Sequence, residues 1–216
     1  MYLDAGNPAS YPGSGATWND LSGNSHNVSL INSPTFSSAN CGSILLNGTN
    51  NYCFKSTNIM PTGDTSKSMF LWFASRTTIT TRQWLIYTGS ETNGGRFALE
   101  IDQGKIAFNY YNSAIYSADL VRDAWYHAGV TYNSSTKQLS IYLNGVLQSV
   151  STFPITVGGT PISINTGSST GTYVGSFVGT SIYLNGNVSQ FQIYDRVLSA
   201  GEISSNFSAH RGRYGI

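Results

Sequence analysis

The chain has 216 residues, a length that suits one domain or at most two small ones. Lys and Arg number 11 and Asp and Glu number 10, so the net charge is +1, and only 10% of residues are charged against a usual ~25%. This balance excludes the basic surface that nucleic acid or an anionic membrane requires. Aromatic residues make up 13% of the chain, which argues against disorder, and its β-branched and turn-forming residues predict an all-β domain.

The amino-terminal segment, Met1 to Gly6, has no basic start and no long apolar stretch, so it does not have the pattern of a signal peptide. The longest apolar run, near Met69 to Ala74, is far too short to span a bilayer. We therefore expect a whole protein made in a cytoplasm, one that leaves by cell lysis, or a domain excised from a larger protein.

Two cysteines, Cys41 and Cys53, flank a segment that contains Asn47-Gly48, a dipeptide typical of a hairpin turn. The pair is nearly symmetric about this turn, so the two thiols would face each other across two strands. The alternative is two small residues that never oxidise, which synthesis in a cytoplasm favours. The sequence leaves a disulfide between them open.

Short strand signals separated by Gly and Asn turns follow along the chain. The predicted strands are 68–76, 83–88, 96–101, 105–110, 125–132, 138–143, 146–150 and 188–194. Asp102-Gln103-Gly104 joins the third and fourth strands as a hairpin, and Asn144-Gly145 joins the sixth and seventh. Many short strands at this spacing predict a sandwich or a barrel.

Alternation assigns faces to two of these strands. Leu139, Ile141 and Leu143 share one face of the strand 138–143. In the last strand, alternation predicts that one face carries Val188, Gln190, Gln192 and Tyr194. The opposite face then carries Phe191 and Ile193. Residues 7–27 and 157–180 are rich in Gly, Ser, Asn and Thr, and we expect them to be long loops.

One helix is predicted, and it comes last. Ser199 and Glu202 have the spacing of a capping box, so we expect a short helix over 199–210. The tail 211–216 is basic and interrupted by Gly. We expect a solvent-exposed end, and a tail that docks on a partner subunit is the alternative.

Several segments form a recognisable series by their order and spacing. They are WNDLSGNSHN at 18–27, LNGTNNY at 46–52, 125–132 followed by 139–145, and 186–199 with Glu202-Ile203. Together they resemble the laminin G-like branch of the concanavalin A-like lectin/glucanase superfamily. The resemblance implies one domain over 1–216, a two-sheet antiparallel jelly-roll sandwich of about a dozen strands or more with one short C-terminal helix. The closing helix and tail also resemble single-domain versions among phage and virus structural proteins.

The superfamily includes glucanases, whose strand motif E-x-D-x-x-E places carboxylates on one face of a strand for catalysis. This chain has Glu100 and Asp102, but Lys105 stands where the general acid/base would be. We therefore expect a solvent-facing Glu100 and a turn Asp102 rather than an active site. His127 shares a strand face with Trp125, and we expect it to be packed and hydrogen-bonded.

Lectins of this fold often hold Ca²⁺ with Asp, Asn and backbone carbonyl oxygens. Asp20, Asn24 and Asn27 form such a cluster in a predicted loop, and they are the candidate metal ligands. The alternative is a network of Asx turns that holds the loop. Only one of the three is a carboxylate, so we expect any Ca²⁺ affinity to be modest.

Sugar binding depends on exposed aromatic rings beside Asn or Asp side chains. The aromatic candidates are Trp84, Tyr110, Tyr111, Tyr116 and Tyr173. Alternation does not separate the exposed members of this set from the core members.

The leading hypothesis is a non-catalytic surface module. In its concrete form it is a virion-associated protein, assembled in a host cytoplasm and displayed on a phage capsid or tail for decoration or adhesion. Expected partners are other virion or surface proteins, glycans and further copies of the chain, with no nucleic acid and no membrane insertion. The alternatives are a carbohydrate-binding or adhesion domain of a larger secreted protein, and a degenerate glycoside hydrolase.

Overall fold

The computed structural model describes residues 1–77, 80–110, 114–168 and 171–216. Its strands form two eight-stranded antiparallel sheets and one small hairpin. Sheet A contains β1 (Tyr2–Asp4), β4 (Thr35–Ser37), β5 (Ser43–Asn47), β7 (Lys67–Ser75), β12 (Trp125–Asn133), β13 (Gln138–Leu143), β14 (Val146–Thr152) and β18 (Asn185–Tyr194). Sheet B contains β2 (Thr17–Trp18), β3 (Val28–Ile31), β6 (Tyr52–Lys55), β8 (Gln83–Gly89), β9 (Arg96–Asp102), β10 (Lys105–Asn109), β11 (Ala114–Asp119) and β17 (Thr172–Val174). The small hairpin pairs β15 (Ile155–Val157) with β16 (Thr160–Ile162).

Sheet A has the strand order β14-β13-β12-β7-β18-β5-β4, with β1 also paired to β18. Sheet B has the order β11-β10-β9-β8-β17-β6-β3-β2. The inner faces of the two sheets enclose the main hydrophobic core, which includes Leu139, Ile141 and Leu143 as predicted. The predicted all-β fold of two antiparallel sheets is therefore confirmed.

Both predicted hairpins between adjacent strands are present. The turn between β13 and β14 has φ of 51° at Asn144 and 77° at Gly145, the left-handed pair that a two-residue hairpin turn requires. The turn between β9 and β10 has φ of 51° at Gln103 and 79° at Gly104.

The Asn47-Gly48 hairpin is wrong, because β5 belongs to sheet A and β6 to sheet B. The Asn47 Oδ1 atom accepts backbone hydrogen bonds from Thr49, Asn50 and Asn51, at 2.9, 3.0 and 3.1 Å. These bonds stabilise the turn at 47–51, which connects β5 in sheet A to β6 in sheet B.

The two cysteines consequently do not face each other across a hairpin. Cys41 is exposed and lies in the 3₁₀ turn Ala39–Cys41, whereas Cys53 is buried in β6. Both are free thiols. The structure therefore contains no disulfide between Cys41 and Cys53.

The face assignment of the last strand is wrong for Val188, because β18 carries a bulge. Its register against β7 shifts between Val188 and Gln190. The extra residue, Ser189, reverses the alternation. Val188 therefore packs in the main core together with Phe191 and Ile193.

The predicted loops both contain strands. Residues 7–27 include β2, and residues 157–180 include part of β15 with all of β16 and β17. The strand β17 lies inside sheet B, between β8 and β6. Pairing on both sides stabilises this strand, so Tyr173 belongs to a sheet and not to a loop.

The closing helix α1 spans Ala200–His210, and the predicted capping box is present. The Ser199 Oγ atom accepts a hydrogen bond from the Glu202 backbone, and the Glu202 carboxylate accepts one from the Ser199 backbone. None of the helices in the described ranges has the length and apolar character needed to cross a membrane.

The expected free tail is wrong. Residues Arg211–Tyr214 form a 3₁₀ turn that docks on the outer face of sheet A. The Tyr214 ring stacks on Trp72 with 4.1 Å between ring centroids, and Arg213 donates to Asp4 at 2.8 and 3.0 Å. The basic and aromatic tail residues thus have partners within their own domain.

Candidate functional site

The outer face of sheet B carries an open cleft of about 450 Å³, which we call the sheet-B groove. Strands β8 to β11 form its floor, and the loop 176–182 forms one wall. Its lining residues are Arg82, Trp84, Arg96, Glu100, Asp102, Asn109, Ala114, Tyr116, Phe177 and Ile182.

The strand register explains why these side chains meet. Trp84 lies opposite Glu100, Glu100 opposite Ala107, and Ala107 opposite Tyr116. Directly opposed residues of antiparallel strands project to the same face. One row across β8 to β11 therefore carries the Trp84 indole, the Glu100 carboxylate, the small side chain of Ala107 and the Tyr116 phenol.

Glu100 lies at the centre of the groove and is only 1% exposed, so the expected solvent-facing Glu100 is wrong. Arg82 donates to both of its carboxylate oxygens, at 2.7 and 3.1 Å, and Asn109 Nδ2 donates to Oε1 at 2.9 Å. Alternation does place Glu100 on the outer face, but the groove walls cover it. The two-point pair with Arg82 offsets the cost of burying its charge.

Arg96 is the second buried charge of the groove, with a side chain only 7% exposed. It donates to Asn109 Oδ1 at 2.9 Å and to Glu91 Oε2 at 2.5 Å. Its guanidinium lies over the rings of Trp84, Tyr87 and Phe177, between 5.1 and 5.5 Å from their centroids. Arg96 thereby joins the ionic and the aromatic parts of the groove.

Tyr116 stands at the groove rim with 36% exposure, the most exposed aromatic ring of the lining. Its hydroxyl donates to Asp102 Oδ2 at 2.8 Å and accepts a bond from Gln103 at 3.3 Å. Burial, and next the bond to Asp102, raises the pKa of Tyr116 to about 12. The hydroxyl therefore stays protonated at neutral pH.

Trp84 has a buried hydrogen-bond donor in the floor of the groove. The residue is 1% exposed, and its indole Nε1, which solvent does not reach, has no hydrogen-bond partner in the described part of the chain. A buried donor left unpaired costs about 1–3 kcal/mol. Trp84 therefore contributes its ring to the groove and not a donor that a ligand can reach.

The wall formed by the loop 176–182 has strained backbone. Val178 and Ile182 are β-branched, yet their φ angles are 43° and 53°. Phe177 anchors the loop, with its ring 5.5 Å from that of Trp84 and 5.4 Å from that of Tyr87. Such strain is concentrated at functional sites in proteins.

The aromatic candidates divide between several locations. Trp84 and Tyr116 line the groove, and Tyr173 packs beside Tyr87 on the same outer face. Tyr110 is 3% exposed and lies in the main core, so as a sugar contact it is wrong. Tyr111 lies outside the described residues.

Sequence reasoning missed Arg82, Arg96 and Phe177 as groove residues. None of the three belongs to a motif, and nothing in the sequence distinguishes the two arginines from other residues near strand ends. A weak signal did exist, because an arginine stands at or just before the start of two predicted strands, 83–88 and 96–101, in a chain with few charges.

The predicted metal ligands come together elsewhere, in the loop beside the first strand. Asp20 Oδ1 accepts backbone bonds from Tyr2 and Ser22 at 2.8 and 3.0 Å, and Oδ2 accepts one from His26 at 3.0 Å. Burial would raise the pKa of Asp20, but these bonds lower it to about 2. The carboxylate therefore holds the loop.

The two asparagines also take part in that network. Asn27 Oδ1 accepts a bond from the Asp20 backbone at 2.9 Å, and Asn24 Nδ2 donates to Ser22 Oγ at 3.1 Å. Across the described ranges, no three His, Cys, Asp or Glu side chains group as metal ligands. Calcium binding at Asp20, Asn24 and Asn27 stays a prediction.

His127 lies on the opposite side of the sandwich and belongs to no site. It is 2% exposed, and its ring centroid lies 5.2 Å from that of Phe70 and 5.1 Å from that of Trp72. The packed role is confirmed. The expected hydrogen bonding is wrong for Nδ1, which has no partner among the described residues.

The fold agrees with a family comparison, whose match includes the segments at 46–52, 125–145 and 186–199 but not the one at 18–27. The model of a laminin G-like family, described as Concanavalin A-like lectin/glucanases superfamily, matches residues 46–204. The chain belongs to this superfamily. The jelly-roll fold that the resemblance implied is therefore confirmed, whereas a search of curated proteins finds no match.

Solved structures with the same fold come from proteins of varied function. The Trypanosoma rangeli sialidase in complex with sialic acid is 16% identical, with a TM-score of 0.67 over 98% of this chain and 33% of that chain. The botulinum neurotoxin serotype G binding domain is 16% identical, with a TM-score of 0.69 over 97% of this chain and 50% of that one. The serotype D binding domain is 13% identical, with a TM-score of 0.70 over 97% of this chain and 51% of that one. The chain thus spans a third to a half of these proteins, and the likeness concerns the fold.

Proposed function

We propose that the chain is a non-catalytic glycan-binding module and that the sheet-B groove is its binding site. The observation that carries the proposal is the combination of rim aromatic and polar side chains within one open groove, with Tyr116 beside Asp102 and Trp84 beside Glu100. Sugars offer apolar C–H faces that pack on aromatic rings and hydroxyls that bond to such polar groups. The fold shared with toxin binding domains supports a binding role.

The non-catalytic part of the proposal rests on Glu100. Most glycoside hydrolases use two carboxylates that flank the bond to be cleaved, and both must be free to act on the substrate. Both oxygens of Glu100 already accept hydrogen bonds from Arg82. The side chain at the third motif position is Lys105, which is paired with Asp119 at 2.5 Å.

The biological setting that we propose is a virion, in which the module decorates a phage capsid or tail or adheres to glycans. The low charge of the chain and the resemblance to phage and virus structural proteins support this setting. The alternative is an adhesion domain of a larger secreted protein. Proteomics of purified particles from the source culture separates the two, because the protein would co-purify with particles only in the first case.

A glycan-array screen of the purified protein tests the binding proposal. We expect binding that a Tyr116→Ala variant weakens about two- to tenfold, since one stacked ring contributes about 0.5–1.5 kcal/mol. Leu147→Ala is the matched control, because Leu147 is 48% exposed on β14 of the other sheet. Equal loss in both variants, or no binding to any glycan, would contradict the proposal.

The same screen, run with calcium and with a chelator, tests the metal prediction. Binding that requires calcium and disappears in Asp20→Asn would place the ligand at the predicted metal cluster. Chelator-resistant binding that depends on Tyr116 would place it in the groove.

Hydrolysis products measured in the same wells test the absence of catalysis. We expect no release of reducing sugar. Release that a Glu100→Gln variant abolishes would replace the binding module with a glycoside hydrolase.

A further inference from the structure

Each cationic side chain of the sheet-B groove already has an anionic partner. Arg82 is paired with Glu100 at 2.7 Å, Arg96 with Glu91 at 2.5 Å, and Lys105 beside the groove with Asp119 at 2.5 Å. Asp102 lines the groove in addition, and its contacts are to the Tyr116 hydroxyl and the Gln103 amide. The residues outside the described ranges are all uncharged, so they do not change this balance.

Recognition of an acidic sugar depends on an unoccupied cation. A carboxylate or sulfate is bound best by an arginine that offers two parallel N–H groups. Arg82 directs its Nε and Nη2 atoms at Glu100. Arg96 directs Nη1 at Asn109 and Nη2 at Glu91. An acidic sugar would either compete with Glu100 or Glu91 for these arginines or meet only the Nη1 edge of Arg82, whose charge Glu100 already balances. In either position it would also lie near Asp102.

A neutral sugar carries no charge, so it neither competes for the arginines nor is repelled by Asp102. Its hydroxyl groups donate to carboxylate oxygens and accept from N–H groups. The groove offers Asp102 Oδ1, which makes no hydrogen bond among the described residues. Tyr116, 36% exposed, presents a ring at the rim on which a sugar face can pack.

We infer that the sheet-B groove selects neutral, hydroxyl-rich glycans and discriminates against glycans whose bound sugar carries a carboxylate or sulfate. The inference rests on the proposed function and adds the ligand class to it. Its basis is that the groove arginines hold carboxylates of the chain itself.

Matched pairs of glycans test this inference. The probes are N-acetyllactosamine with and without a terminal sialic acid, and polygalacturonan with its carboxyl groups free or methyl-esterified. At low ionic strength, we expect the neutral member of each bound pair to bind about tenfold more tightly, and Tyr116→Ala to weaken it.

A charge variant makes the test sharper. Glu91→Gln removes the anionic partner of Arg96, and Glu91 is 46% exposed, so the fold tolerates the change. We expect the ratio of acidic to neutral affinity to rise about tenfold in this variant. Asp123→Asn is the control, because it makes the same charge change at a surface pair with Arg122 outside the groove, and we expect it to leave the ratio unchanged.

The outcomes separate the two proposals. Acidic glycans that bind as tightly as their neutral partners, with loss in Tyr116→Ala, would overturn the neutral selectivity and leave the groove as a glycan site. An unchanged ratio in Glu91→Gln would likewise overturn the role of the paired arginines. If no array glycan and no probe binds, the proposed function fails and the inference fails with it.

Discussion

At the scale of single residues, His127 shows how burial controls protonation. Its imidazole is stacked between Phe70 and Trp72, and Phe207 of α1 lies 6.2 Å away. Burial, with a smaller effect from His210, lowers the pKa of His127 to about 3. The native domain therefore holds this imidazole neutral over most of the acid range.

This neutral imidazole predicts a loss of stability in acid. In the unfolded chain the pKa of His127 has its ordinary value of about 6.5, and in the native protein it is about 3. Between these pH values the unfolded chain therefore binds a proton that the native chain does not. The free energy of unfolding then falls with decreasing pH by about 1.4 kcal/mol per unit from this group. Urea unfolding at roughly pH 7 and roughly pH 4.5 measures the loss.

A His127→Phe variant serves as the comparison, because carboxylates with lowered pKa, such as Asp4 and Asp20, contribute to the same acid loss. The variant keeps an aromatic ring between Phe70 and Trp72 and removes the titrating group. We expect its loss of stability between the two pH values to be smaller. An identical loss in both proteins would show that His127 does not titrate in this way.

At the scale of elements, the helix α1 depends on its first turn. Of its residues, Ile203 is the buried one, so packing contributes little area along most of the helix. The Ser199–Glu202 capping box satisfies backbone donors that would otherwise lack partners. Arg196 pairs with Glu202 at 2.7 Å and connects the box to the end of β18.

We predict that Ser199→Ala lowers the free energy of unfolding by about 1 kcal/mol, the usual cost of a lost helix cap. Ser204→Ala is the matched control, because Ser204 is exposed inside the same helix and Ala favours helical structure. Chemical denaturation of both variants measures the difference. Equal stabilities would mean that the cap contributes nothing here.

At the scale of the whole molecule, the tail connects the two ends of the chain. Arg213 and Asp4 form an ion pair with side chains 18% and 9% exposed. Asp4 also accepts bonds from Gln190 and the Gly6 backbone, so it joins β1, β18 and the tail. Tyr214 completes the contact by stacking on Trp72.

Removal of one partner of this pair should destabilise the domain. We predict that Arg213→Met lowers the free energy of unfolding by about 3 kcal/mol, because it leaves the Asp4 charge buried without its cation. The double variant Asp4→Asn/Arg213→Met should recover part of that loss, since no charge remains buried. Denaturant unfolding of the single and double variants provides the measurement. A single variant with the same free energy of unfolding as the unmodified protein would contradict the docked tail.

The assignment of β5 and β6 to different sheets makes a further prediction about the whole molecule. Cys41 is exposed and Cys53 is buried, and burial raises the pKa of Cys53 to about 12. A thiol reagent should therefore modify one cysteine in the native protein and two after denaturation without reductant. No reactive thiol in denaturant would reveal a disulfide and contradict the structure.

Features that depend on neighbouring residues are predictable from the sequence alone. Asn144-Gly145 adopts the left-handed turn that its hairpin requires, Leu139, Ile141 and Leu143 alternate into the core, and Ser199 caps α1. Each of these rests on backbone preferences or periodicity within about ten residues. The all-β class and the family followed from many such signals in order along the chain.

Features that depend on distant partners arise only when the chain is folded. The Asn47-Gly48 segment connects two sheets because its flanking strands pair in different sheets. Ser189 forms a bulge because the register of β18 against β7 shifts at this residue. Glu100 is buried because Arg82 and the aromatic wall cover it. Long-range pairing of strands and charges leaves no local pattern, so the groove and its charge balance are visible only in the folded domain.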